Sequence, residues 1–359
     1  MQTIPLELAE HSYDICVAYG LRKQLADALQ PWHQGQQMVV LTQQAIFDLY
    51  QDVIEQLKAD GFNIETIIVP GDESAKNIKH AEEVWTQMVQ AGCDRSSLLL
   101  ALGGGVVGDL GGFVAATYMR GIPFIQIPTT LLAMIDSAIG GKTAVNLAAG
   151  KNLVGAIYQP KAVLVDPGFL QTLPRRNVIS SLAEAIKYGF IRDKSIFDTI
   201  ETRFDDLISL NDQALLSEII SKSCRIKAQI VSNDQFESGE RRLLNYGHTI
   251  GHAFETIQAY GGLYHGEAVL YGMKCANFIS HRKGLLSDEQ FASAQAVLHR
   301  FELPELGKVT PEQVLDVVAH DKKNINGKLN FILIDAIGNG VVSTEVSKED
   351  IVESLAAVA

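Results

Sequence analysis

The sequence predicts an α/β fold followed by a mainly α-helical part, and three observations support this prediction. Up to about residue 167, short apolar runs alternate with helical stretches, which is typical of a doubly wound, mainly parallel sheet. The segment GFLQTLPRR at 168–176 interrupts this alternation, and helical periodicity dominates after it. A chain of 359 residues is also long for a single hydrophobic core. We therefore expect two domains, residues 1–170 and 171–359.

Short apolar runs supply the predicted strands of the first domain. They are too short and too uniformly apolar for surface helices, so they fit buried parallel strands. The runs are 38–41, 64–69, 97–102, 124–127 and 162–165, with helices predicted at 45–60 and 76–91. The helices predicted in the second domain are 178–191, 194–209, 214–231, 243–258, 265–283, 288–301 and 311–319, with a hairpin over 329–342.

Composition and charge exclude several classes of function. Asp and Glu number 42 against 30 Lys and Arg, so the net charge of −12 argues against nucleic acid as the main partner. The four cysteines form no CxxC pair, which is typical of reduced thiols in a cytoplasmic protein. The N-terminal residues lack the apolar region of a signal peptide, and the apolar stretch 121–135 is shorter than the ~20 residues of a spanning helix. We expect a cytoplasmic protein without a membrane partner.

The most unusual stretch, residues 243–269, holds three of the nine histidines. If 243–258 is one helix, Asn245, His248, His252 and Glu255 share a face. A polar face of this kind usually meets water, and for one histidine on one helix that is the simpler interpretation.

Two features of this stretch favour a metal site instead. Gly247 and Gly251 each cost a helix roughly 1 kcal/mol relative to Ala, which suggests that something packs close to their backbone. His265 follows the turn Gly261-Gly262, where a second helix can begin beside the first. Imidazoles from two helices and one carboxylate form the usual ligand set of a catalytic zinc with an open position.

Two segments that follow predicted strands are candidates for binding an anion or a nucleotide. The run GGGVVGD at 103–109 lets backbone N–H groups approach a diphosphate at the start of a helix. A tight turn with Asp109 as a helix cap explains the same run. The run GDESAK at 71–76 lies at the carboxyl edge of the predicted sheet, where its charged pair either holds ribose hydroxyls or simply begins a helix.

Polar and charged side chains gather in three further places. Residues 127–152 contain Ser, Thr, Gly and Lys without a hydrophobic period, which favours a ligand-lining loop. There Lys142 and Lys151 either neutralise a phosphate or carboxylate or are simply solvated. Glu184 and Lys187 share a helix face, so they form either a surface ion pair or, with the histidines, part of a metal set. Anion-binding groups near the histidines in sequence are Lys227, Arg241, Arg242 and Asn245.

These strings together resemble the 3-dehydroquinate synthase family of sugar phosphate cyclases. The matching motifs are GGGVVGD, IPTTLLA, GGKTAVN, GKNLVG, LAEAIKYG, LNYGHTIGHAFE and HGEAV, with a late Asp321-Lys322-Lys323, in family order over residues 70–323. The resemblance implies a dehydroquinate synthase-like fold, with an NAD-binding N-terminal domain and a helical metal-binding C-terminal domain. It also implies a homodimer and a bound zinc ion, which cobalt can replace.

The resemblance further implies roles for individual residues. The implied metal ligands are Glu184, His248 and His265, whereas His252 is implied to bind substrate phosphate. The implied NAD contacts are Gly71, Asp72, Glu73, Ser74, Ala75, Lys76, Gly105, Val106, Val107, Gly108, Asp109, Thr129, Thr130, Lys142, Lys151, Phe169, Leu170, Gln171 and Thr172. The implied substrate contacts are Asp136, Lys142, Asn152, Lys187, Lys227, Arg241, Asn245 and His252, with Arg120 from a neighbouring subunit and a lysine of the Asp321-Lys322-Lys323 motif.

The substrate implied by the resemblance is a small sugar phosphate, 3-deoxy-D-arabino-heptulosonate 7-phosphate. Transient oxidation by bound NAD, phosphate elimination, re-reduction and an intramolecular aldol closure would yield 3-dehydroquinate and phosphate in the shikimate pathway. An NAD-dependent metal alcohol dehydrogenase of the glycerol dehydrogenase type shares the general plan but needs no phosphate-binding groups. Other sugar phosphate cyclases, which make valiolone or amino-sugar rings, and a nonenzymatic metal- or nucleotide-binding module are further alternatives.

Overall fold

The computed structural model describes residues 1–237, 239–258, 262–320 and 330–358. The chain divides into two compact units. Unit 1 comprises Met1–Leu173 and Gln213–Ser232, and unit 2 comprises Pro174–Asp212 and Asn233–Ala359. The predicted sequence domains, 1–170 and 171–359, stay a prediction. Unit 1 also contains the helical segment Gln213–Ser232, which lies beyond the predicted boundary. Within the described ranges, no helix is long and apolar enough to cross a membrane.

Unit 1 is built on a mainly parallel sheet. Its strands are Gln2–Leu6 (β1), Tyr13–Val17 (β2), Met38–Gln43 (β3), Ile64–Val69 (β4), Leu98–Gly103 (β5), Phe124–Pro128 (β6), Lys142–Leu147 (β7), Gly150–Ile157 (β8) and Ala162–Val165 (β9). Seven of them form one sheet in the order β1-β2-β9-β6-β5-β3-β4, in which only β1 and β2 are antiparallel. The positions of the strands predicted from apolar runs are confirmed, each to within two residues. The prediction that all of them are buried is wrong for β4, which lies at the edge of the sheet and exposes Glu65 and Ile68.

Helices make up most of the remaining described structure. They are Leu25–Leu29 (α1), Gln44–Ala59 (α2), Ile78–Gln90 (α3), Gly105–Thr117 (α4), Arg175–Ile191 (α5), Lys194–Ser209 (α6), Gln213–Asn233 (α7), His248–Ile257 (α8), His265–Arg282 (α9), Asp288–His299 (α10), Pro311–His320 (α11) and Lys348–Val358 (α12). A hairpin of Phe331–Ala336 (β10) and Asn339–Ser343 (β11) lies in unit 2.

The parallel register of unit 1 brings several loops to one edge of the sheet. Gln43 at the end of β3 pairs with Val69 at the end of β4, and Gly103 at the end of β5 pairs with Pro128 at the end of β6. The segments that follow these strands therefore begin side by side, at the edge where open α/β sheets bind ligands.

The stretch 127–152 is more ordered than the predicted loop. A π-helical turn at Ala133–Ser137 is followed by the antiparallel ribbon of β7 and β8. Thr143 and Val145 are the buried residues of β7, and the ribbon contacts α4. Only two buried residues alternate along β7, and glycines flank the ribbon, so the alternation typical of a strand is too short to recognise in the sequence.

The core of unit 2 is organised around α5 and α9. Every residue of α5 from Val178 to Ile191 is buried, and α9 is buried over most of its length. Both helices are enclosed by neighbouring elements. Their small and polar residues are therefore buried, although such residues usually face water on a surface helix. Glu184 and Lys187 are consequently placed inside unit 2 rather than on its surface.

The predicted single helix over 243–258 is wrong in its first part. A 3₁₀ turn at Glu240–Asn245 ends before Gly247, whose φ is +78°, and α8 begins only at His248. Glycine adopts this left-handed backbone readily, so it allows the chain to change direction there. Asn245 therefore does not share a helix face with the histidines.

The predicted close packing at Gly247 and Gly251 is confirmed. A Cβ on Gly251 would lie 2.9 Å from the carbonyl oxygen of Ala268, and a Cβ on Gly272 would lie 1.8 Å from the carbonyl oxygen of Gly247. The backbones of α8 and α9 are thus in direct contact. The second helix begins at His265, as the sequence predicts.

Candidate active site

Three side chains of unit 2 converge from three helices. Glu184 comes from the middle of α5, His248 is the first residue of α8, and His265 is the first residue of α9. Oε1 of Glu184 lies 3.5 Å from Nε2 of His248 and 3.6 Å from Nε2 of His265. All three candidate ligand atoms lie within 4.8 Å of one another. These separations suit atoms that each lie about 2.0–2.2 Å from a shared ion.

One atom of this set fits a cation especially well. The Glu184 side chain is fully buried, and its Oε1 has no hydrogen-bond partner among the described residues. A buried carboxylate oxygen without a partner is costly, because it has lost its water and gained nothing in exchange. A divalent ion held with the two imidazole nitrogens would satisfy it, and this donor set suits zinc or cobalt.

Lys187 forms a buried ion pair with the other carboxylate oxygen, Oε2 of Glu184. Neither side chain is more than 2% exposed, so the surface ion pair considered from the sequence is wrong. Burial alone would raise the pKa of Glu184, but Lys187 and the nearby His265 lower it to about 2. Glu184 is therefore ionised throughout the physiological pH range, as metal ligation requires.

Both candidate ligand histidines are also held through their other ring nitrogen. Nδ1 of His248 lies 3.1 Å from the carbonyl oxygen of Tyr246. Nδ1 of His265 lies 3.3 Å from Oε2 of Glu255. Burial would lower the pKa of His265, but its contacts with Glu184 and Glu255 raise it to about 10, so an ion bound at Nε2 would displace a proton from that nitrogen.

His252 lies beside this set without joining it. Its ring centroid is 5.3 Å from that of His248 and 5.9 Å from that of His265. Its side chain is 41% exposed, and its Nε2 lies 4.0 Å from Oε2 of Glu255. Although His248 and His252 are four residues apart on α8, only His248 lies in the candidate ligand group with Glu184. The phosphate-binding role implied for His252 stays a prediction.

The 3₁₀ turn before α8 carries two predicted anion-binding residues. Arg241 is buried, and its Nη1 donates to the carbonyl oxygen of Gln235 at 2.5 Å. Asn245 donates from Nδ2 to Oε1 of Glu237 at 2.7 Å. Oδ2 of Asp234 accepts from the backbone N–H of Arg241 at 3.0 Å, which fixes the turn to the preceding loop.

Unit 1 contains a cavity of about 620 Å³ that brings together five of the predicted side chains. Lys227, from α7, is the best defined of them: its Nζ donates to Oδ1 and to the carbonyl oxygen of Asp136, each at 2.6 Å. The cavity combines ammonium groups with oxygen acceptors, as a ligand rich in phosphate and hydroxyl groups requires. The five side chains are Asp109, Asp136, Lys142, Asn152 and Lys227.

Lys76 connects predicted NAD residues to a predicted substrate residue. Its buried Nζ lies 2.7 Å from Oδ2 of Asp109, 2.6 Å from Oδ1 of Asn152 and 3.4 Å from Oε1 of Glu73. Burial alone would lower the pKa of Lys76, but Asp109 and Glu73 raise it. Asn152 has a left-handed φ of +55°, and its backbone N–H donates to Oδ1 of Asn146 at 2.8 Å.

The segment after β5 has the features of an anion site. Gly104, the N-cap of α4, makes no side-chain cap, so the N–H groups of the first turn remain available to an anion. After the neighbouring β6, Thr129 is buried and its Oγ1 has no hydrogen-bond partner in the described part of the chain.

Asp109 lies in the second turn of α4, so its interpretation as a cap is wrong. Asp72 is a cap, because its Oδ1 accepts from the N–H of Ser74 at 2.8 Å.

The remaining predicted residues are less directly connected to these groups. Lys151 lies on β8, but it does not line the cavity. Arg120 is exposed in the turn after α4, with φ of +68°. The motif Asp321-Lys322-Lys323 lies outside the described residues. The 3₁₀ turn Pro167–Thr172 contains Phe169, Leu170, Gln171 and Thr172, of which the first two are buried.

The structure also adds two acidic residues to which the sequence assigns no role. Glu255 contacts His265, and the only signal for it is its spacing of three from His252 on one helix face. Glu237 contacts Asn245 and has φ of +61°. A left-handed glutamate leaves no trace in hydrophobic periodicity, so no sequence signal identifies it.

Comparisons with known proteins give one consistent result. Family models described as 3-dehydroquinate synthase N-terminal and C-terminal match residues 66–180 and 181–324. A 3-dehydroquinate synthase from Desulforamulus reducens is 42% identical over 358 residues, with 99% of each chain covered. The structure of 2-epi-5-epi-valiolone synthase from Streptomyces hygroscopicus subsp. jinggangensis, with NAD+ and Zn2+ bound, has a TM-score of 0.90 at 30% identity, covering 98% of each chain. That of 2-deoxy-scyllo-inosose synthase complexed with carbaglucose-6-phosphate, NAD+ and Co2+ has a TM-score of 0.87 at 26% identity, covering 99% of each chain.

The parallel sheet, the helical unit and these relatives define an enzyme of the sugar phosphate cyclase class. The predicted fold class is therefore confirmed. Within this class, the chain belongs to the 3-dehydroquinate synthase family, as its motifs predict.

Proposed function

We propose that this chain converts 3-deoxy-D-arabino-heptulosonate 7-phosphate to 3-dehydroquinate and phosphate, as an NAD- and metal-dependent carbon–oxygen lyase. One observation carries the proposal. The side chains of His248 and His265 face the buried Oε1 of Glu184, which has no hydrogen-bond partner among the described residues. All three residues lie inside the family match over 66–324.

Glu184, His248 and His265 would hold zinc or cobalt. The uncapped start of α4 and the buried hydroxyl of Thr129 support an NAD diphosphate at the carboxyl edge of the sheet. When both are bound, the metal supplies polarisation of neighbouring substrate oxygens and NAD supplies a reversible oxidation. The other tasks, which are binding, orientation and control of protons, fall to side chains of this chain.

In unit 2, the proposed task of the hydrogen-bond donors is to hold the phosphate as it leaves. Negative charge grows on the leaving group during elimination, so donors fixed in advance lower the barrier. Arg241 and Asn245 are already fixed by Gln235 and Glu237. We also assign phosphate binding to His252, and we assign to the phosphate itself the role of base at the neighbouring carbon.

In unit 1, the proposed substrate residues form donor and acceptor pairs. Lys227 donates and Asp136 accepts, which suits a hydroxyl group of a sugar. Lys142 and Asn152 line the same cavity and are assigned to the phosphate. Lys76 holds Asn152 on one side and Asp109 on the other, so it links the proposed substrate and NAD residues.

The remaining assignments rest on the family alone. They are homodimer assembly, a contribution of Arg120 to a neighbouring subunit, a cytoplasmic location, and NAD contacts from Lys151 and from the turn that contains Phe169 and Thr172. The structures of cyclases with other products favour one second candidate function, which is ring closure of a heptulose or hexose phosphate that lacks a carboxylate.

A substrate panel tests the proposal. Full-length protein with catalytic NAD and zinc is given the heptulosonate phosphate, a heptulose 7-phosphate, a hexose 6-phosphate or glycerol, and phosphate release is measured beside NADH. We expect phosphate release from the heptulosonate phosphate only. Release from a sugar phosphate without a carboxylate would favour the second candidate, and accumulation of NADH with glycerol would favour a dehydrogenase.

A further inference from the structure

We propose that Glu255 is a positioning residue of the metal centre. Its carboxylate accepts a hydrogen bond from Nδ1–H of His265 and so directs Nε2 of that ring toward the ion. The inference rests on the proposed function, because it deepens the metal site of that function.

The two nitrogens of His265 face two different carboxylates. Nε2 lies 3.6 Å from Oε1 of Glu184, and Nδ1 lies 3.3 Å from Oε2 of Glu255. A neutral imidazole that binds a metal through one nitrogen carries its proton on the other. Because Oε1 of Glu184 also faces Nε2 of His248, the ion belongs on the Nε2 side of His265. Nδ1 then carries the proton, and Glu255 is its acceptor.

His248 provides a comparison within the same site. Its Nδ1 is held by a backbone carbonyl, that of Tyr246, and its side chain is only 11% exposed. The His265 side chain is 33% exposed, so fewer packing contacts fix its ring. A charged acceptor makes a stronger hydrogen bond than a carbonyl, and the less enclosed ring has the charged acceptor.

Glu255 itself is well fixed. Its side chain is only 11% exposed and lies on α8, whose backbone contacts α9 directly. Gly251, one turn before Glu255, allows that contact, since a Cβ there would lie 2.9 Å from the carbonyl oxygen of Ala268. The distance between the carboxylate and His265 at the start of α9 is therefore set by two helices in backbone contact.

One alternative uses the same residues differently. His252, Glu255 and His265 also bring ligand atoms within 4.8 Å of one another, so Glu255 could bind the ion directly through this second group. His265 would then bind through Nδ1. The buried Oε1 of Glu184, which has no hydrogen-bond partner in the described ranges, favours the group that contains Glu184, because an ion there gives that oxygen a partner.

The test measures zinc affinity of the full-length protein against a competing chelator. The variants are Glu255→Ala, Glu255→Gln, Glu184→Gln and a control, Glu289→Gln, whose carboxylate is exposed on α10. Loss of a hydrogen-bonded carboxylate behind a histidine ligand typically weakens metal binding roughly 10- to 100-fold. We expect Glu255→Ala to show this loss, Glu255→Gln to lose less because its amide oxygen still accepts, and Glu289→Gln to match the parent. An affinity of Glu255→Ala equal to that of the parent would overturn the proposal.

A second readout separates positioning from general destabilisation. In nitrogen-15 spectra of the zinc-loaded parent, we expect His265 to be protonated at Nδ1 and bound at Nε2. In Glu255→Gln, a nearly isosteric change, the Nδ1–H signal should shift and exchange faster with water, which keeps the test decisive if Glu255→Ala does not fold. Binding through Nδ1, or zinc retained by Glu184→Gln and lost by Glu255→Gln, would contradict the proposal. None of these measurements needs turnover, so they test the role of Glu255 even if the protein does not catalyse the proposed reaction.

Discussion

Oε1 of Glu184 lies 3.6 Å from Nε2 of His265, although the two residues belong to helices that are far apart in the sequence. The contact exists because α5 is buried on every side and α9 begins beside it. The close packing of α8 on α9 then brings His248 to the same carboxylate oxygen. The arrangement of helices in unit 2 therefore brings the three candidate metal ligands together.

The first prediction concerns His265→Ala. Removing one of three proposed ligands should abolish tight zinc binding and turnover together, because two ligands and water hold the ion weakly. Zinc content after dialysis and phosphate release check this. His281→Ala is the matched control, since His281 lies on the same helix with the same side-chain exposure of 33% and contacts Asp288 instead. Full activity in a metal-free His265→Ala protein would rule out the assignment.

Lys227→Met tests the proposed substrate pair of unit 1. The variant loses the ammonium group that lies 2.6 Å from Oδ1 of Asp136. A charge-assisted hydrogen bond from Lys227 to the substrate would contribute about 1.5–3 kcal/mol. Its loss should therefore lower kcat/KM roughly 10- to 100-fold while zinc content stays unchanged. Lys222→Met on the same helix, where Lys222 pairs with Glu218, should remain active. A wild-type kcat/KM for Lys227→Met would remove Lys227 from the substrate residues.

Gly272→Ala tests the contact between α8 and α9. A Cβ at this position would lie 1.8 Å from the carbonyl oxygen of Gly247, so the helices must separate. We expect a loss of at least about 2 kcal/mol in the free energy of unfolding, together with weaker zinc binding. Gly307→Ala is the control, because a Cβ there meets nothing closer than 4.0 Å. Equal denaturation midpoints for the two variants would show that the close approach has no energetic consequence.

Asp350 gives a prediction about pH. Its carboxylate accepts from the N–H of Ser347 at 2.8 Å and pairs with Lys283 at 3.0 Å at the start of α12. Burial alone would raise the pKa of Asp350, but these partners lower it. Since the folded pKa lies below that of the unfolded chain, about 3.9, the stabilisation is complete above that value and is lost as the pH falls through the folded pKa.

Asp350→Asn should therefore reduce the free energy of unfolding by about 1 kcal/mol at neutral pH, and the difference should shrink toward zero below about pH 4. Urea unfolding at a series of pH values measures it. Glu349→Gln, an exposed change in the same first turn, should show little effect at any pH. A difference for Asp350→Asn that grows in acid would contradict the assigned direction.

Much of the fold follows from the sequence because buried parallel strands are apolar on both faces. The run at 162–165 matches β9, which is buried throughout, at both ends. The run at 64–69 also matches β4 at both ends, although this edge strand exposes Glu65 and Ile68. The close approach at Gly247 and Gly251 is also readable, since glycine inside a helix has a cost that packing must offset. The assignment of the metal ligands depends on the family resemblance, because the spacing of four residues alone would pair His248 with His252.

What the sequence does not reveal depends on contacts between distant segments. The ribbon of β7 and β8 is stabilised by α4, and its own period is too short to detect. The burial of Glu184 with Lys187 has no local signal, since an i, i+3 ion pair on a surface helix has the same letters. The contact of Glu255 with His265 depends on two helices whose separation only the packed structure defines.

The central claim is that this chain eliminates phosphate and closes a ring while NAD returns to its starting state. The most direct test mixes enzyme that carries NAD and zinc with the heptulosonate phosphate and measures phosphate, dehydroquinate and NADH in the same reaction. We expect equal amounts of phosphate and dehydroquinate, with NADH appearing only transiently. NADH that accumulates with product, or phosphate release without dehydroquinate, would contradict the account.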